Sequence, residues 1–260
     1  NDEGEAIEFQ GDPDHPFTKG ALCSKLKRYP QRVYSQERVL YPLKRSGPKG
    51  SGEFVRISWD QAIEEIASKF KETIEKSGPL AVLPYNFAGT IGMLQRYAGE
   101  QFFSRLGATE ILGDICGATA YDAISSVIGP MDSMQVEDLQ HSKFIILWGT
   151  NTATTNVHLW SGAIATARKA GATIVAVDPI KTNTAAHADW HIQVKPGTDA
   201  ALALGMMHVI IRDGLYDKDF VDTHCLGFEG LSERVRKYPP EKVEQITGIS
   251  AAEIEKFAIA

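Results

Sequence analysis

The clearest pattern of apolar and polar positions lies between Lys143 and Asp199, where two apolar runs flank a helical spacing. Residues 143–148, Lys-Phe-Ile-Ile-Leu-Trp, form a run that breaks at Gly149-Thr150-Asn151. A helical spacing follows over residues 157–170 and is closed by Gly171. A second apolar run over residues 172–177 ends at Asp178-Pro179. Strand, helix and strand within this length make a right-handed βαβ unit. Beyond it the pattern predicts a short strand over residues 190–194 and a helix over residues 200–212, stopped by Asp213-Gly214. Short helices are predicted over residues 217–224, 228–238 and 240–246, and from Ala251 onward.

Upstream, Ser58 and Gln61 form a capping-box pattern ahead of a helical stripe of Ala62, Ile63, Ile66, Ala67, Phe70 and Ile74. Gly78-Pro79 stops that helix, residues 80–83 read as a short buried strand, and a second helix is predicted over residues 93–106. Around Cys116 the order is a short strand, a cysteine between Gly113 and Gly117, and a helix of small residues, which suits a presented thiol. Residues 1–57 are irregular and rich in Gly, Pro, Lys and Arg, as in a small loop-and-strand module. Residues 44–52 read as a hairpin tip with Phe54-Val55-Arg56-Ile57 as its return strand, and Asn1-Asp2-Glu3-Gly4 as a turn between two strands. With no initiator Met and a final helical pattern that stops abruptly at Ala260, the chain reads as a piece of a longer protein. Strands alternating with helices predict an α/β, Rossmann-like, mainly parallel sheet flanked by helices over residues 58–260.

Composition narrows the possible functions. At 260 residues with 43% hydrophobic and 23% charged content, the chain has the make-up of a soluble globular protein with a large core. A formal charge of −6 argues against nucleic acid as a partner. No apolar run approaches the roughly 18 residues needed to span a bilayer, and the acidic, polar first residues are not those of a signal peptide. Cys23, Cys116 and Cys225 are far apart and contain no C-x-x-C pair, which argues against a disulfide framework and for a reducing, cytoplasmic setting.

The candidate chemistry lies just past the predicted strand ends, where βαβ units hold ligands. Gly149 permits close backbone approach, and Asn151 can cap a helix or donate to a phosphate. Asp178 ends its strand as the acid that grips a ribose or base does, although Asp178-Pro179 is also a good strand-ending turn. Lys195-Pro196-Gly197-Thr198-Asp199 supplies another loop opening a helix, for which Asp199 is also a natural N-cap. No G-x-G-x-x-G is present, so periodicity alone gives a nucleotide-type site with its ligand unidentified. His187 and His191 are four apart, but Ala188-Asp189-Trp190 between them does not read as helix, so a paired metal site is not expected there.

Several segments taken in order resemble the molybdopterin oxidoreductases of the dimethyl-sulfoxide-reductase type. Gly20-Ala21-Leu22-Cys23-Ser24-Lys25, followed by residues 32–45, is similar to the end of that family's iron–sulfur module. Ser58-Trp59-Asp60-Gln61-Ala62 is similar to its first helix. Trp148-Gly149-Thr150-Asn151, Val177-Asp178-Pro179 and Pro196-Gly197-Thr198-Asp199-Ala200 are similar to its cofactor-binding region. The resemblance covers nearly the whole chain. It implies residues 1–57 as the incomplete C-terminal part of a small β-rich iron–sulfur module. Residues 58–260 would then be an α/β molybdopterin-binding core, incomplete at its C-terminus.

The family's residues then fall as follows. Cys23 would be the last of four cysteines on a [4Fe–4S] cluster, the other three preceding Asn1. One thiolate cannot hold a cubane that takes four, so no cluster is expected on this chain alone. Lys25 resembles the lysine between cluster and pterin in formate dehydrogenases and nitrate reductases, with Leu26 where that motif has Gly. Cys116 falls at the protein ligand to the metal, with Asp114 the alternative. Trp148, Gly149, Asn151, Asp178, Pro179, Gly197, Thr198 and Asp199 would contact one guanine dinucleotide arm, with Thr152 where the family has Pro.

The resemblance thus implies a fragment of a molybdenum or tungsten oxidoreductase using a bis-molybdopterin guanine dinucleotide cofactor for oxygen-atom or hydride transfer. A small-molecule redox substrate and an electron-transfer partner protein are expected, and the chain by itself is expected to be inactive. Periplasmic export of the parent is left open by the missing N-terminus. The alternative is an iron–sulfur electron-transfer or scaffold subunit with the same fold and no molybdenum, and a third reading is an unrelated nucleotide-binding module.

Overall fold

A computed structural model describes residues 1–16, 18–23, 25–85, 92–111, 113, 117–130 and 134–260. The chain forms two compact units, one comprising Tyr34–Ser133 and the other Asn1–Val33 with Met134–Ala260.

In the Tyr34–Ser133 unit, β1 (Leu43–Arg45) and β2 (Phe54–Arg56) pair antiparallel, with Leu43 opposite Arg56, as the hairpin pattern predicts. Helix α1 (Trp59–Ser77) starts with the full capping box: Ser58 Oγ accepts from Gln61 N at 3.1 Å and Gln61 Oε1 accepts from Ser58 N at 3.0 Å. Ser58→Ala is therefore expected to lower the unfolding free energy by about 1 kcal/mol in urea titration, whereas Ser58→Asp should restore most of it. Helix α2 (Met93–Leu106) closes at Gly107 and packs Phe102 and Phe103 against Phe70 of α1 at 6.3 and 6.2 Å between ring centres. Helix α3 (Ala118–Ile128) follows.

The buried strand expected over residues 80–83 is not formed. Pro79–Ala81 is a 3-10 turn, with Leu80 71% and Leu83 59% exposed and only Val82 buried. Proline sets a turn-like φ and has no N–H to give a ladder, so the apolar run cannot extend from it. The turn is tied to Thr109, whose N donates to Val82 O at 3.0 Å and whose Oγ1 donates to Leu80 O at 2.6 Å.

The second unit contains the predicted βαβ. Strands β3 (Phe144–Trp148), β4 (Thr173–Val177) and β5 (Trp190–Ile192) form a parallel sheet in that order, with Trp148 opposite Val177 and Val177 opposite Ile192. Alternation sorts the side chains. Ile145, Leu147 and Ile174 face Ile164 and Ala167 of the crossover helix. Val175, Val177 and Ile192 face the other way, onto Leu202, Val243, Ile254 and Phe257. Central β4 is covered on both faces, which is why its sequence is a continuous apolar run rather than an alternating one. The α/β class and the parallel sheet flanked by helices are as predicted.

Between β3 and β4 the chain makes a short helix, α4 (Thr152–Thr155), and then the crossover. The crossover runs through Val157–Leu159, a π turn at Trp160–Ile164, and Ala165–Lys169. Helix α5 (Asn183–His187) joins β4 to β5. After β5 come α6 (Asp199–Arg212), α7 (Lys218–His224), α8 (Phe228–Val235), α9 (Pro240–Thr247) and α10 (Ala251–Ile259). Asn1 to Gly4 make the expected turn, Gly4 N donating to Asn1 O at 3.0 Å, but no strand flanks it among the described residues. No helix among them is long and apolar enough to cross a membrane.

Asp189 ties the start of β4 to the approach to β5. Its carboxylate accepts from Ile174 N at 2.8 Å and Arg168 Nη2 at 3.0 Å, and Arg168 also donates to His187 O. Burial alone would raise its pKa, but the Ile174 amide and the Arg168 guanidinium outweigh it and hold the carboxyl below its ordinary value. A depressed native value stabilises the fold above the unfolded pKa and ceases to do so as pH falls through the native one. The unfolding free energy should thus fall more steeply between about pH 4 and pH 2 in the wild type than in Asp189→Asn.

Candidate functional site

The carboxyl ends of the three parallel strands are held together by bonds that continue the sheet into its loops. Gly149 N donates to Val177 O at 2.8 Å, and Asp178 N donates to Ile192 O at 3.1 Å. The segment after β3, the turn after β4 and the loop after β5 therefore open from one edge. This is where open parallel sheets bind ligands.

Each loop presents distinct groups. Gly149 has φ +63° and Gly197 has φ +79°, and a Cβ at either would meet no atom within 4 Å. The backbone is thus in a glycine-favouring conformation with open space beside it. Asp178 is only 9% exposed. Its Oδ1 accepts from Ile180 N at 3.0 Å, closing an Asx turn around Pro179. Its other oxygen has no donor among the described residues and is not sealed from solvent.

Two side chains brace this turn, one on β5 and one just after it. His191 Nε2 donates to Asp178 O at 2.9 Å, and Gln193 Nε2 donates to Pro179 O at 2.8 Å. These two were not singled out from the sequence as site residues. Their spacing of two residues along the chain is the only sequence signal that would put both on one face.

Asp199 is the first residue of α6 rather than its N-cap. The cap position belongs to Thr198, whose side chain does not cap; its Oγ1 donates to Lys195 O at 2.7 Å. Asp199 Oδ1 instead accepts from Trp148 Nε1 at 2.7 Å, joining the end of β3 to the start of α6. Trp148→Phe removes a charge-assisted bond in a part-buried position and is expected to lower stability by about 1–2 kcal/mol, read from the urea midpoint. Asn151 stands at the N-cap position of α4, yet its side chain does not cap that helix. Its Oδ1 accepts from both Thr184 N at 3.2 Å and Thr184 Oγ1 at 3.0 Å. Thr184 also escaped the sequence reading, because it bonds to a residue far away in the chain.

Cys23 is a half-buried free thiol and Lys25 is exposed at the start of a 3-10 turn, Leu26–Arg28. Cys116 and Asp114 lie outside the described residues. Among the described residues no three His, Cys, Asp or Glu side chains are grouped to hold a metal.

A parallel three-stranded sheet flanked by helices, with glycine, amide and carboxylate groups at its carboxyl edge, defines an α/β protein. The chain belongs to the molybdopterin oxidoreductase family, whose model, described as molybdopterin oxidoreductase, matches residues 38–255. It is 40% identical over 257 residues to the probable oxidoreductase YoaE of Bacillus subtilis, covering 98% of this chain and 38% of that protein. It is 36% identical over 256 residues to acetylene hydratase of Syntrophotalea acetylenica, covering 94% of this chain and 34% of that one. The solved structure of acetylene hydratase from Pelobacter acetylenicus matches with a TM-score of 0.74 at 36% identity, over 94% of this chain and 34% of that chain. The chain thus spans between about a third and two fifths of the length of these relatives.

Proposed function

We propose that this chain supplies one guanine dinucleotide-binding surface of a bis-molybdopterin cofactor in a molybdenum or tungsten oxidoreductase. The observation that carries the reading is the joined edge of β3, β4 and β5, in a chain that belongs to this family. The groups there suit the ligand. Gly149 and Gly197 leave room for a pyrophosphate to approach the backbone. Asn151 provides an amide for phosphate oxygens. The open oxygen of Asp178 can accept from guanine N–H or ribose hydroxyls, with Trp148 and Asp199 forming a fixed wall at the mouth of α6.

When bound, such a cofactor supplies the two-electron redox chemistry, and the chain's residues orient it and set its surroundings. Cys116 is the proposed protein ligand to the metal, since a thiolate suits it, and Asp114 is the alternative. Cys23 is proposed as the single cluster thiolate this chain offers, so the chain alone would hold no [4Fe–4S] cluster. Lys25 would place a positive charge beside the electron path. The full protein would act on a small-molecule redox substrate and exchange electrons with a partner protein, in the cytoplasm. The 260-residue chain by itself would show no turnover.

Calorimetric titration of the chain with GDP and ADP tests the site. GDP should bind at least about tenfold more tightly, because guanine presents two adjacent N–H donors to Asp178 along its pairing edge, whereas adenine presents one amino group beside an acceptor nitrogen. Absence of GDP binding, or equal affinity for ADP, would sink the proposal.

A further inference from the structure

Asn151 is held in a way that fixes which end of its amide faces out. Thr184 is 0% exposed and lies on α5, beyond β4. Its hydroxyl accepts from Ala153 N at 2.9 Å, which leaves the hydroxyl hydrogen to be donated to Asn151 at 3.0 Å. Its backbone N–H can only donate, and it too meets Asn151, at 3.2 Å. Two donors converge on one atom, so that atom must be the Asn151 oxygen. The amide nitrogen then lies on the opposite side. It has no acceptor among the described residues, and it is not sealed from solvent.

We infer that Thr184 is a positioning residue that locks Asn151 with its nitrogen toward the open edge, as a dedicated donor to the phosphates of the bound nucleotide. The inference rests on the dinucleotide reading of that edge and adds a residue to it. A side-chain NH2 has two hydrogens and no lone pair to offer, so an amide held this way selects an acceptor group and gives a cation nothing to bind. The same hydroxyl that orients Asn151 also satisfies Ala153 N, so one buried side chain sets both the shape and the polarity of the loop after β3. Asn183 Nδ2 reaches Thr154 Oγ1 at 3.5 Å, a further tie between α4 and α5.

The test compares GDP with guanosine, which lacks phosphates, on the 260-residue chain. Asn151→Asp keeps an oxygen for both Thr184 donors but turns a carboxylate outward. GDP affinity should fall by about tenfold or more while guanosine affinity stays within about twofold. Thr184→Val removes one of the two donors to Asn151, and GDP affinity should fall by about fivefold, again sparing guanosine. Thr184→Ser keeps the hydroxyl and should bind GDP as the wild type does. A merely structural role for Thr184 would weaken both ligands in parallel, which overturns the inference. So would GDP affinity that Asn151→Asp leaves unchanged.

A readout free of nucleotide is the scalar coupling across the hydrogen bond from the Thr184 amide nitrogen to Asn151 Cγ. It should be present in the unliganded chain, and its absence also overturns the inference. A chain that shows the coupling but binds neither GDP nor guanosine would instead overturn the dinucleotide reading, and with it the role given to the outward nitrogen.

Discussion

Phe257→Ala is expected to lower the unfolding free energy by about 3–5 kcal/mol, one of the largest losses available to a single substitution in this chain. Phe257 is 2% exposed, and its ring lies 6.4 Å from that of Phe144 and 5.4 Å from that of Trp190. It therefore fills the space between α10 and two strands of the sheet, β3 and β5. The surrounding groups are held and cannot collapse to fill the void. Trp190 Nε1 donates to Glu253 Oε1 at 3.0 Å, and the Lys256 ammonium lies 4.8 Å over the Trp190 ring. Urea unfolding followed by tryptophan fluorescence should show a lower midpoint with an unchanged slope. A loss below about 1 kcal/mol would mean that α10 is not part of the sheet's core as described.

Asp178→Asn is expected to lower GDP affinity by thirtyfold to a hundredfold, about 2–3 kcal/mol, with little change in stability. Asparagine keeps an oxygen for Ile180 N, so the Asx turn and the bonds from His191 and Gln193 to the turn's carbonyls are preserved. What changes is the outward atom, from a charged acceptor to a donor facing guanine's own donors. Two donors opposed in a partly buried site are penalised more than a lost bond alone. If affinity is unchanged, Asp178 is only the strand-ending turn that its Pro179 neighbour also suggests. If affinity and thermal stability fall together, the turn has been disrupted and the carboxylate's contact with the ligand is not established.

The sheet was legible because its strands are apolar on both faces. Residues 143–148 and 172–177 predict β3 and β4 to within a residue, and Gly149 and Asp178 mark their ends as seen. The capping box at Ser58 and Gln61 was legible for a local reason, since both partners lie within one turn. What escaped depends on contacts distant in sequence. The hydrophobic run at residues 80–83 reads as a strand until Pro79, with no strand paired to it among the described residues, decides otherwise. Asp199 reads as an N-cap until Trp148 claims one of its oxygens. Thr184 carries no local signal at all; its importance comes from Asn151 and Ala153 across the βαβ connection. The π turn at Trp160–Ile164 likewise has no counterpart in the periodicity, which reads as ordinary helix. Family membership was legible in the ordered segments from Cys23 to Asp199, because each is short but their sequence along the chain is specific.

The most direct test of the central claim uses the full-length natural protein that contains this chain, purified as wild type and as Asp178→Asn. Acid-released GMP is quantified against protein and against molybdenum and tungsten by mass spectrometry. Two equivalents of GMP per metal are expected in the wild type, with the Asp178→Asn protein losing half of its GMP or more. A wild-type protein carrying neither metal and releasing no GMP would contradict the account and favour an iron–sulfur scaffold with the same fold.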